Sequence, residues 1–230
     1  MESNEKSKES CVTIPVYKEK LTDFEKHSLI ECVKKLGIKY EIHLVCPQDL
    51  NIEGYMKYHT FKVDRFDNEY FRSVKDYHRL LKSSAFYDRY MDFNYIFHYQ
   101  LDSWVNGSEL ECFTQFGFDY YGALHKINGS DEYYGGDGGV SLRKVSVFKR
   151  LTEELEKEGK INDDIKEDEL FTRLGIEGKL RMIHTNLSKY FSINDDAKKI
   201  VLDTMAIPFA CRHIMETKDG YEVWFRYTYY

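Results

Sequence analysis

The sequence is poor in the features that mark membrane and secreted proteins. It contains only 3 Pro and 2 Trp, and no apolar run approaches the roughly 18 residues that a membrane-spanning helix needs. The N-terminal segment MESNEKSKES is polar and has no apolar stretch of the kind found in secretion signals. We therefore expect a soluble, cytoplasmic protein with a flexible polar leader at residues 1–10.

Zinc-binding patterns and a surplus of positive charge are also missing. The 5 cysteines are odd in number and scattered, with no CxxC or Cys/His spacing, which favours reduced thiols. The 39 acidic residues outnumber the 33 Lys and Arg, giving a net charge of −6. Because nucleic-acid binding depends on clustered Lys and Arg, we expect no nucleic-acid partner.

Aromatic residues, in contrast, are abundant, with 19 Tyr and 15 Phe. Tyrosine fills a core while keeping a polar tip, and it also stacks on bases and sugar rings, so packing and ligand contact are both open interpretations. The 230 residues, 42% of them hydrophobic, are enough to bury one sizeable core. We expect a single domain over residues 11–230.

Short apolar runs alternate with helical patterns along the chain. Thr22 and Glu25 have capping-box spacing and open a helix that Gly37 closes. Such alternation predicts an α/β fold with a mostly parallel sheet flanked by helices. The predicted strands are 11–17, 40–46, 61–65, a run from Tyr95 to Asp102, 119–124 and 140–142, and further helical patterns cover 73–90, 108–117 and the segment up to about 157.

The run that ends at Asp102 is the first candidate functional feature. Tyr95-Ile-Phe-His-Tyr-Gln-Leu suits a strand buried on both faces, and ligands of open α/β sheets bind where such strands end. A carboxylate there is suited to hold a divalent cation against a phosphorylated ligand. The alternative is that Asp102 merely caps a turn.

Two further segments carry residues suited to a binding site. Gly135-Gly-Asp-Gly-Gly139 is neither a P-loop nor GxGxxG, and predicts either a flexible hairpin loop or a bare backbone that a ligand approaches closely. Glu167 and Asp168 follow Lys166 at a predicted helix start. They either interact favourably with the positive end of the helix dipole or supply a general base that deprotonates an acceptor hydroxyl.

An ordered set of short motifs spans Val12 to Arg212. The motifs are Ile14-Pro-Val-Tyr-Lys-Glu19, Leu44-Val-Cys-Pro47, Arg65-Phe-Asp-Asn-Glu-Tyr-Phe71, Tyr77-His-Arg-Leu80, Tyr99-Gln-Leu-Asp102, Phe118-Asp-Tyr-Tyr-Gly-Ala123, Gly138-Gly-Val-Ser-Leu-Arg143, Glu167-Asp168 with Phe171, and Pro208-Phe209. Each motif is weak alone, but in this order they resemble a bacterial glycosyltransferase-like family with a GT-A fold, known mainly as a domain of unknown function.

The resemblance implies transfer of a sugar from a nucleotide-sugar donor to a glycan or lipid-linked glycan acceptor, in surface polysaccharide or lipopolysaccharide biosynthesis. Association with the membrane would then be peripheral and through the acceptor. A divalent cation, Mn or Mg, is the implied cofactor. The implied catalytic residues are Asp168 and Glu167, the implied metal ligands are Asp102 and His213, and the donor-binding residues are Pro15, Val16, Tyr17, Arg79, Gln100, Asp102, Gly138 and Gly139.

The chain departs from the family pattern at three places. The metal-binding DxD position reads Asp102-Ser-Trp104 and has a single carboxylate, and Asp137 stands where the family tends to carry Asn. A His expected after Pro-Phe-Gly-Cys is Arg212 here, followed by His213, for which a place in the core is the alternative. Arg65, Arg79, Arg143 and Arg212 would then share the neutralisation of the diphosphate, and salt bridging at the surface is the alternative role for most of them.

A second class of function stays open beside the enzyme. The single carboxylate at Asp102 is also what a non-catalytic nucleotide-sugar or glycan-binding protein on the same fold would show. The aromatic C-terminus, residues 223–230, suggests either an edge strand that docks on a partner or, since an exposed apolar edge favours aggregation, a strand packed on its own sheet.

Overall fold

A computed structural model describes residues 8–126, 132–194 and 208–212 of the chain. Its strands form one mixed sheet in the order β3-β2-β1-β4-β7-β6-β8-β9-β5. The strands are β1 Lys8–Pro15, β2 Glu41–Pro47, β3 Lys62–Phe66, β4 Phe93–Tyr99, β5 Ser103–Val105, β6 Tyr120–Lys126, β7 Tyr133–Lys144, β8 Ser192–Ile193 and β9 Ala210–Arg212.

Helices cover both faces of this sheet. They are α1 Asp23–Leu36, α2 Glu53–Met56, α3 Val74–Leu81, α4 Ser84–Asp88, α5 Glu111–Thr114, α6 Val145–Lys157, α7 Glu167–Ile176 and α8 Thr185–Phe191, with a 3₁₀ turn at Asn68–Phe71. The capping box predicted at the start of α1 is present, because Thr22 and Glu25 each accept from the other's backbone N–H. None of the helices in the described ranges is both long and apolar enough to cross a membrane.

The core divides into two layers because successive side chains of a strand point to opposite faces. Val12, Leu44 and Phe97 pack with α1 on one face. Their neighbours Cys11, Val45 and Ile96 pack on the other face with α3, α4, α6 and α7. The strands β1 to β4 are mutually parallel, and β7 runs antiparallel between β4 and β6. The predicted α/β class, with a mostly parallel sheet flanked by helices, is confirmed.

Predicted elements differ from the structure at several places. The helical pattern predicted over 73–90 is two helices, α3 and α4, because Ser83 caps a new helix start. The glycine segment is not a loop: Tyr133–Lys144 is one continuous strand, because residues 135 and 137 pair with Leu124 and Ala123 of β6. The predicted strand reaching Asp102 ends earlier, at Tyr99, and residues 100–102 form the turn into β5.

The predicted leader and the predicted extent of the domain can be compared with the described residues near each end of the chain. Strand β1 begins at Lys8, inside the segment predicted as leader, because residues 8 and 10 already pair with β4. His213 and the aromatic segment 223–230 lie outside the described residues. The extent of the domain over residues 11–230 stays a prediction.

The topology brings several strand ends to one edge of the sheet. The parallel strands β1 and β4 both finish there, at Pro15 and Tyr99. Since β7 is antiparallel to β4 and to β6, its glycine half and the carboxyl end of β6 lie at the same edge. The turn after β4 is fixed to β7 by the Gln100 N–H, which donates to Gly139 O over 2.9 Å.

Candidate active site

A cleft of about 690 Å³ opens at this edge of the sheet. Its walls are the end of β1, the turn after β4, helix α3, the glycine half of β7 and the first residues of α7. Most of the residues that the sequence predicted for the site line it together, and these are Pro15, Val16, Tyr17, Gln100, Asp102, Gly138, Gly139, Glu167 and Asp168.

The β1 wall combines a rigid backbone with an exposed ring. Val16 is buried and its N–H donates to Val45 O over 2.9 Å, which extends the sheet by one residue. Tyr17, directly after it, is 61% exposed. An exposed ring on a fixed backbone is suited to stack on a planar or sugar ligand. Lys18, in contrast, is engaged by Glu25 of α1 at 2.8 Å.

Asp102 lies in the turn between β4 and β5 and is partly buried. Its Oδ1 accepts a hydrogen bond from Ser103 Oγ over 3.2 Å. The next position that a DxD motif would fill with a carboxylate is Trp104 of β5, which is not among the residues lining the cleft. Asp102 is therefore the carboxylate that this turn presents to the cleft.

Glycine is required in β7 by close packing and not by backbone conformation. A Cβ at Gly138 would lie 2.2 Å from Glu167 Oε1, and one at Gly136 would lie 2.0 Å from Thr172 Oγ1. The positive-φ glycines in the described ranges are all elsewhere. The missing side chains thus let α7 approach the strand closely enough to place its N-terminus in the cleft.

Glu167 is held in a buried ion pair. Its Oε1 accepts from Arg143 Nη2 over 2.7 Å, and both side chains are almost fully buried. The guanidinium also donates to Gly138 O, Ser141 Oγ and Tyr87 Oη. Glu167 Oε2, in contrast, is buried with no hydrogen-bond partner among the described residues.

The surroundings of Asp168 disfavour the ionised form of its carboxyl. Burial raises the pKa of its carboxyl to about 7, and the negative charges of Glu167 and Asp137 act in the same direction. Its Oδ1 accepts from the backbone N–H of Glu169 over 2.8 Å, which opposes this shift only in part. A carboxyl with a pKa near neutrality can take a proton and later release it. Of the two predicted catalytic carboxylates, Asp168 has this property, whereas Glu167 is committed to Arg143.

Two residues that the sequence did not assign to the site join Asp168. His125 on β6 and Asp137 on β7 each present one ligand atom, and these atoms and one of Asp168 all lie within 4.8 Å of one another. Asp137 was visible in the sequence as a departure from the family pattern. His125 was not, because its place follows from an irregular register between β6 and β7 at Gly122 to Leu124.

Arg79 does not reach the cleft, contrary to its predicted role in donor binding. Helix α3 turns Val74, Tyr77 and His78 toward the cleft. Arg79, one residue further round the helix, pairs with Glu69 at 3.2 Å and stacks over the Tyr70 ring. The exposed cationic side chains that do line the cleft are Arg72, Lys126 and Lys166.

Three solved structures have the same fold. Glycosyltransferase GlyE of Streptococcus pneumoniae TIGR4, in its apo form, matches with a TM-score of 0.54 at 13% identity, over 96% of this chain and 60% of that one. Mouse xyloside xylosyltransferase 1, also apo, matches with 0.51 at 11% identity, over 89% and 97%. Core-mannan synthase A of Aspergillus fumigatus, in an Mn/GDP form, matches with 0.54 at 9% identity, over 79% and 74%.

At these identities the likeness establishes the fold alone, and that fold is the GT-A type of glycosyltransferases. The chain spans 60% of the length of the pneumococcal protein. The comparison with curated proteins gave no match. A family model described as "Protein of unknown function (DUF5672)" matches residues 60–212, which is most of the chain. The protein is accordingly a member of the DUF5672 family with a glycosyltransferase-like fold.

Proposed function

We propose that this protein is a nucleotide-sugar-dependent glycosyltransferase in which Asp168 is the general base. The observation that carries the proposal is Asp168 itself, a carboxyl with a pKa of about 7 that lines the same cleft as the end of β1 and Asp102. A carboxylate that caps a helix N-terminus has a lowered pKa, since the helix dipole stabilises its anion. The raised pKa of Asp168 instead matches the requirement of proton transfer near neutral pH.

The donor would lie along the β1 wall. The backbone of Pro15 and Val16 and the exposed ring of Tyr17 would line the nucleotide, and the turn at Gln100 and Asp102 would contact the ribose and diphosphate. Gly138 and Gly139, without side chains, leave room for the donor sugar between this turn and α7.

A divalent cation, Mn or Mg, fits this arrangement with Asp102 as its protein ligand. Such a cation, when bound, neutralises the charge that grows on the diphosphate as it leaves. One carboxylate with open positions around it suits Mg²⁺, which binds through one or two carboxylates and substrate phosphates. Arg72, Lys126 and Lys166 line the cleft and would add positive charge for the same leaving group. His213, the second predicted ligand, stays a prediction.

The reaction would be a single displacement. The acceptor hydroxyl gives its proton to Asp168 while its oxygen attacks the anomeric carbon. The bond from that carbon to the diphosphate oxygen breaks, and the diphosphate leaves with the electron pair. Attack from the side opposite the leaving group inverts the anomeric configuration. Glu167 does not touch the reacting atoms in this scheme, and positions α7 through Arg143.

The acceptor is proposed to be a glycan or lipid-linked glycan of bacterial surface polysaccharide or lipopolysaccharide biosynthesis, reached by a cytoplasmic enzyme that associates with the membrane through its acceptor. The resemblance of the motifs supports this context. The Mn/GDP form of the Aspergillus enzyme makes GDP-sugars with manganese a sensible first pair to test.

The direct test is a thermal-shift panel of UDP-, GDP-, CMP- and TDP-sugars, each with and without manganese. A ligand at about 100 times its dissociation constant stabilises a fold by about 2.7 kcal/mol, which such a panel detects. The donor that binds is then used in a transfer assay with glycan acceptors and with water. Binding of one donor and turnover that requires it are the expected results.

A non-catalytic nucleotide-sugar or glycan-binding protein is the second candidate, and the single carboxylate at Asp102 favours it. Full donor binding with neither transfer nor slow donor hydrolysis would support this candidate over the enzyme. Absence of any binding across the panel would contradict the enzyme and a nucleotide-sugar-binding protein, and would leave glycan binding as the form of the second candidate to test.

A further inference from the structure

The triangle of His125, Asp137 and Asp168 is built from three separate elements, β6, β7 and α7. One imidazole and two carboxylates form a donor set that zinc and related transition-metal dications bind in proteins. Two ligand atoms at about 2.0–2.2 Å from a tetrahedral cation are about 3.3–3.6 Å apart. The three atoms lie within 4.8 Å of one another, so binding would draw the most distant pair together by at most about 1.5 Å.

Each of the three side chains is held in place by another contact. Asp137 accepts from the Gly139 N–H over 2.9 Å and from Asn194 Nδ2 over 2.6 Å. His125 Nε2 lies 3.3 Å from Thr172 Oγ1, and Asp168 accepts from the Glu169 N–H. Outer contacts of this kind orient the ligands of protein metal sites. The triangle is thus preorganised by the fold.

A separate observation shows that this corner of the cleft is short of a hydrogen-bond donor. Glu167 lines the same cleft, is 2% exposed, and its buried Oε2 has no hydrogen-bond partner among the described residues. Its carboxylate lies against Gly138, the residue that follows Asp137. Leaving a buried carboxylate oxygen without a donor is costly. A cation that carries water would supply both the donor and the missing positive charge.

The excess of carboxylates in this part of the cleft also favours a bound cation. Three carboxylates, Asp137, Glu167 and Asp168, meet here, and one of them, Glu167, is paired with the buried guanidinium of Arg143. The cationic side chains of Lys126 and Lys166 line the same cleft but are exposed to solvent. Exposed charges are screened far more than buried ones, so the buried excess stays negative.

We infer that His125, Asp137 and Asp168 bind a divalent transition-metal cation of the zinc class, at a site separate from Asp102, and that its binding withdraws Asp168 from catalysis. The first part stands on the three side chains and on the unpaired, buried Oε2 of Glu167 beside them. The second part rests on the proposed function: a cation bound to the Asp168 carboxylate stabilises its anion, so the carboxylate becomes a weaker base for the acceptor proton. The cation is then an inhibitor that competes with proton transfer.

Binding is tested on the full chain, stripped with a chelator and titrated with zinc by calorimetry, without nucleotide. We expect one site whose affinity falls at least about tenfold in His125→Asn and in Asp137→Asn, as loss of a ligand predicts. Asp102→Asn and His27→Asn, which remove a carboxylate outside the triangle and an exposed imidazole, should keep it. Unchanged affinity in both triangle variants, or loss in Asp102→Asn, would overturn the site.

A measurement on the unmutated chain covers the case in which the variants fold poorly. Zinc K-edge absorption of the 1:1 complex should show imidazole and oxygen ligands without sulfur. Scattering from sulfur at about 2.3 Å would place zinc on a cysteine, for example the exposed Cys112, and would contradict the inference.

Activity separates this inference from the proposed function. If transfer is found, zinc should inhibit it over the same concentrations that fill the calorimetric site, with manganese and donor held in excess. Transfer that continues at full rate with the site filled would contradict inhibition. Zinc bound to the triangle in a protein without transferase activity would support the site and count against the proposed function.

Discussion

Arg143 and Glu167 form an ion pair of 2.7 Å in which both side chains are almost fully removed from solvent. The same guanidinium nitrogen donates to Gly138 O over 3.0 Å, so one cation joins the glycine half of β7 to the first turn of α7. That turn carries Asp168. The position of the proposed base therefore depends on a buried pair that does not touch the proposed substrates.

Arg143→Met should unfold the protein more easily by about 3–5 kcal/mol, because it leaves the Glu167 carboxylate buried and unpaired. The double variant Arg143→Met with Glu167→Gln should recover part of this loss, since the uncompensated charge is then gone. Urea denaturation of both variants measures the two free energies. A single variant as stable as the parent would show that the pair contributes nothing.

Gly138→Ala should lower both stability and turnover. The new Cβ would lie 2.2 Å from Glu167 Oε1 and must push the carboxylate away from Arg143. Gly54→Ala is the matched control, because there the nearest atom is Glu19 O at 3.6 Å, an ordinary contact. Melting curves and donor turnover of the two variants should differ clearly, and equal behaviour would mean that α7 adjusts without consequence.

Asp102→Asn should weaken donor binding and its dependence on manganese while the melting temperature stays near that of the parent. The change keeps the shape and the contact with Ser103 but removes the charge that a cation requires. Calorimetry with the donor identified by the panel, with and without manganese, measures this. Donor affinity and turnover equal to the parent would remove Asp102 from the site.

Asp168→Asn should lose about 10²–10⁴-fold in turnover with donor binding nearly intact, which is the contribution of a positioned base. A helix cap would behave differently, with a loss of about 0.5–2 kcal/mol in stability and normal turnover. Single-turnover kinetics beside a denaturation curve distinguish the two. If turnover survives, Asp137 becomes the next candidate for the base.

The pH dependence follows from the raised pKa of Asp168. Below about pH 7 the carboxyl is protonated and cannot act as a base. The kcat/KM of enzyme that has been stripped with a chelator and then supplied with manganese should therefore rise with pH and level off above that value. Stability should move the opposite way: between 3.8 and about 7 the folded state holds a proton that the unfolded chain has released, so unfolding becomes easier as pH rises. Asp168→Asn should flatten both profiles.

The sequence predicted the α/β class, the cap of α1 and most of the cleft, because these depend on local patterns and on the rule that parallel strands end together. It misassigned the glycine segment, since Gly135 to Gly139 has the composition of a loop. In the structure those residues pair with β6, and the absent side chains admit α7 and α8. The distinction depends on tertiary packing, which composition does not report.

His125 and Arg79 are two further residues whose positions could not be predicted from the sequence: one lies in the site unexpectedly, and the other lies outside it. His125 enters the site through register shifts between β6 and β7 at Gly122 to Leu124, and a register shift by one residue moves a side chain to the other face. Arg79 follows His78 on α3 but points to Glu69, because the helix phase assigns neighbouring residues to different faces. Neither could be decided from the chain alone.

The residues that line the cleft range along the chain from Pro15 to Asn194, and β1 pairs with β4 across about eighty intervening residues. Contacts of such high sequence separation slow folding, because the entropy of closing a long loop is lost before the contacts can stabilise the chain. The binding surface therefore does not exist in any short fragment, and its walls on β1 and β7 are brought together by pairing with β4. Recovery of donor affinity after dilution from denaturant should lag behind recovery of helical signal, and the delay would measure how late the sheet closes.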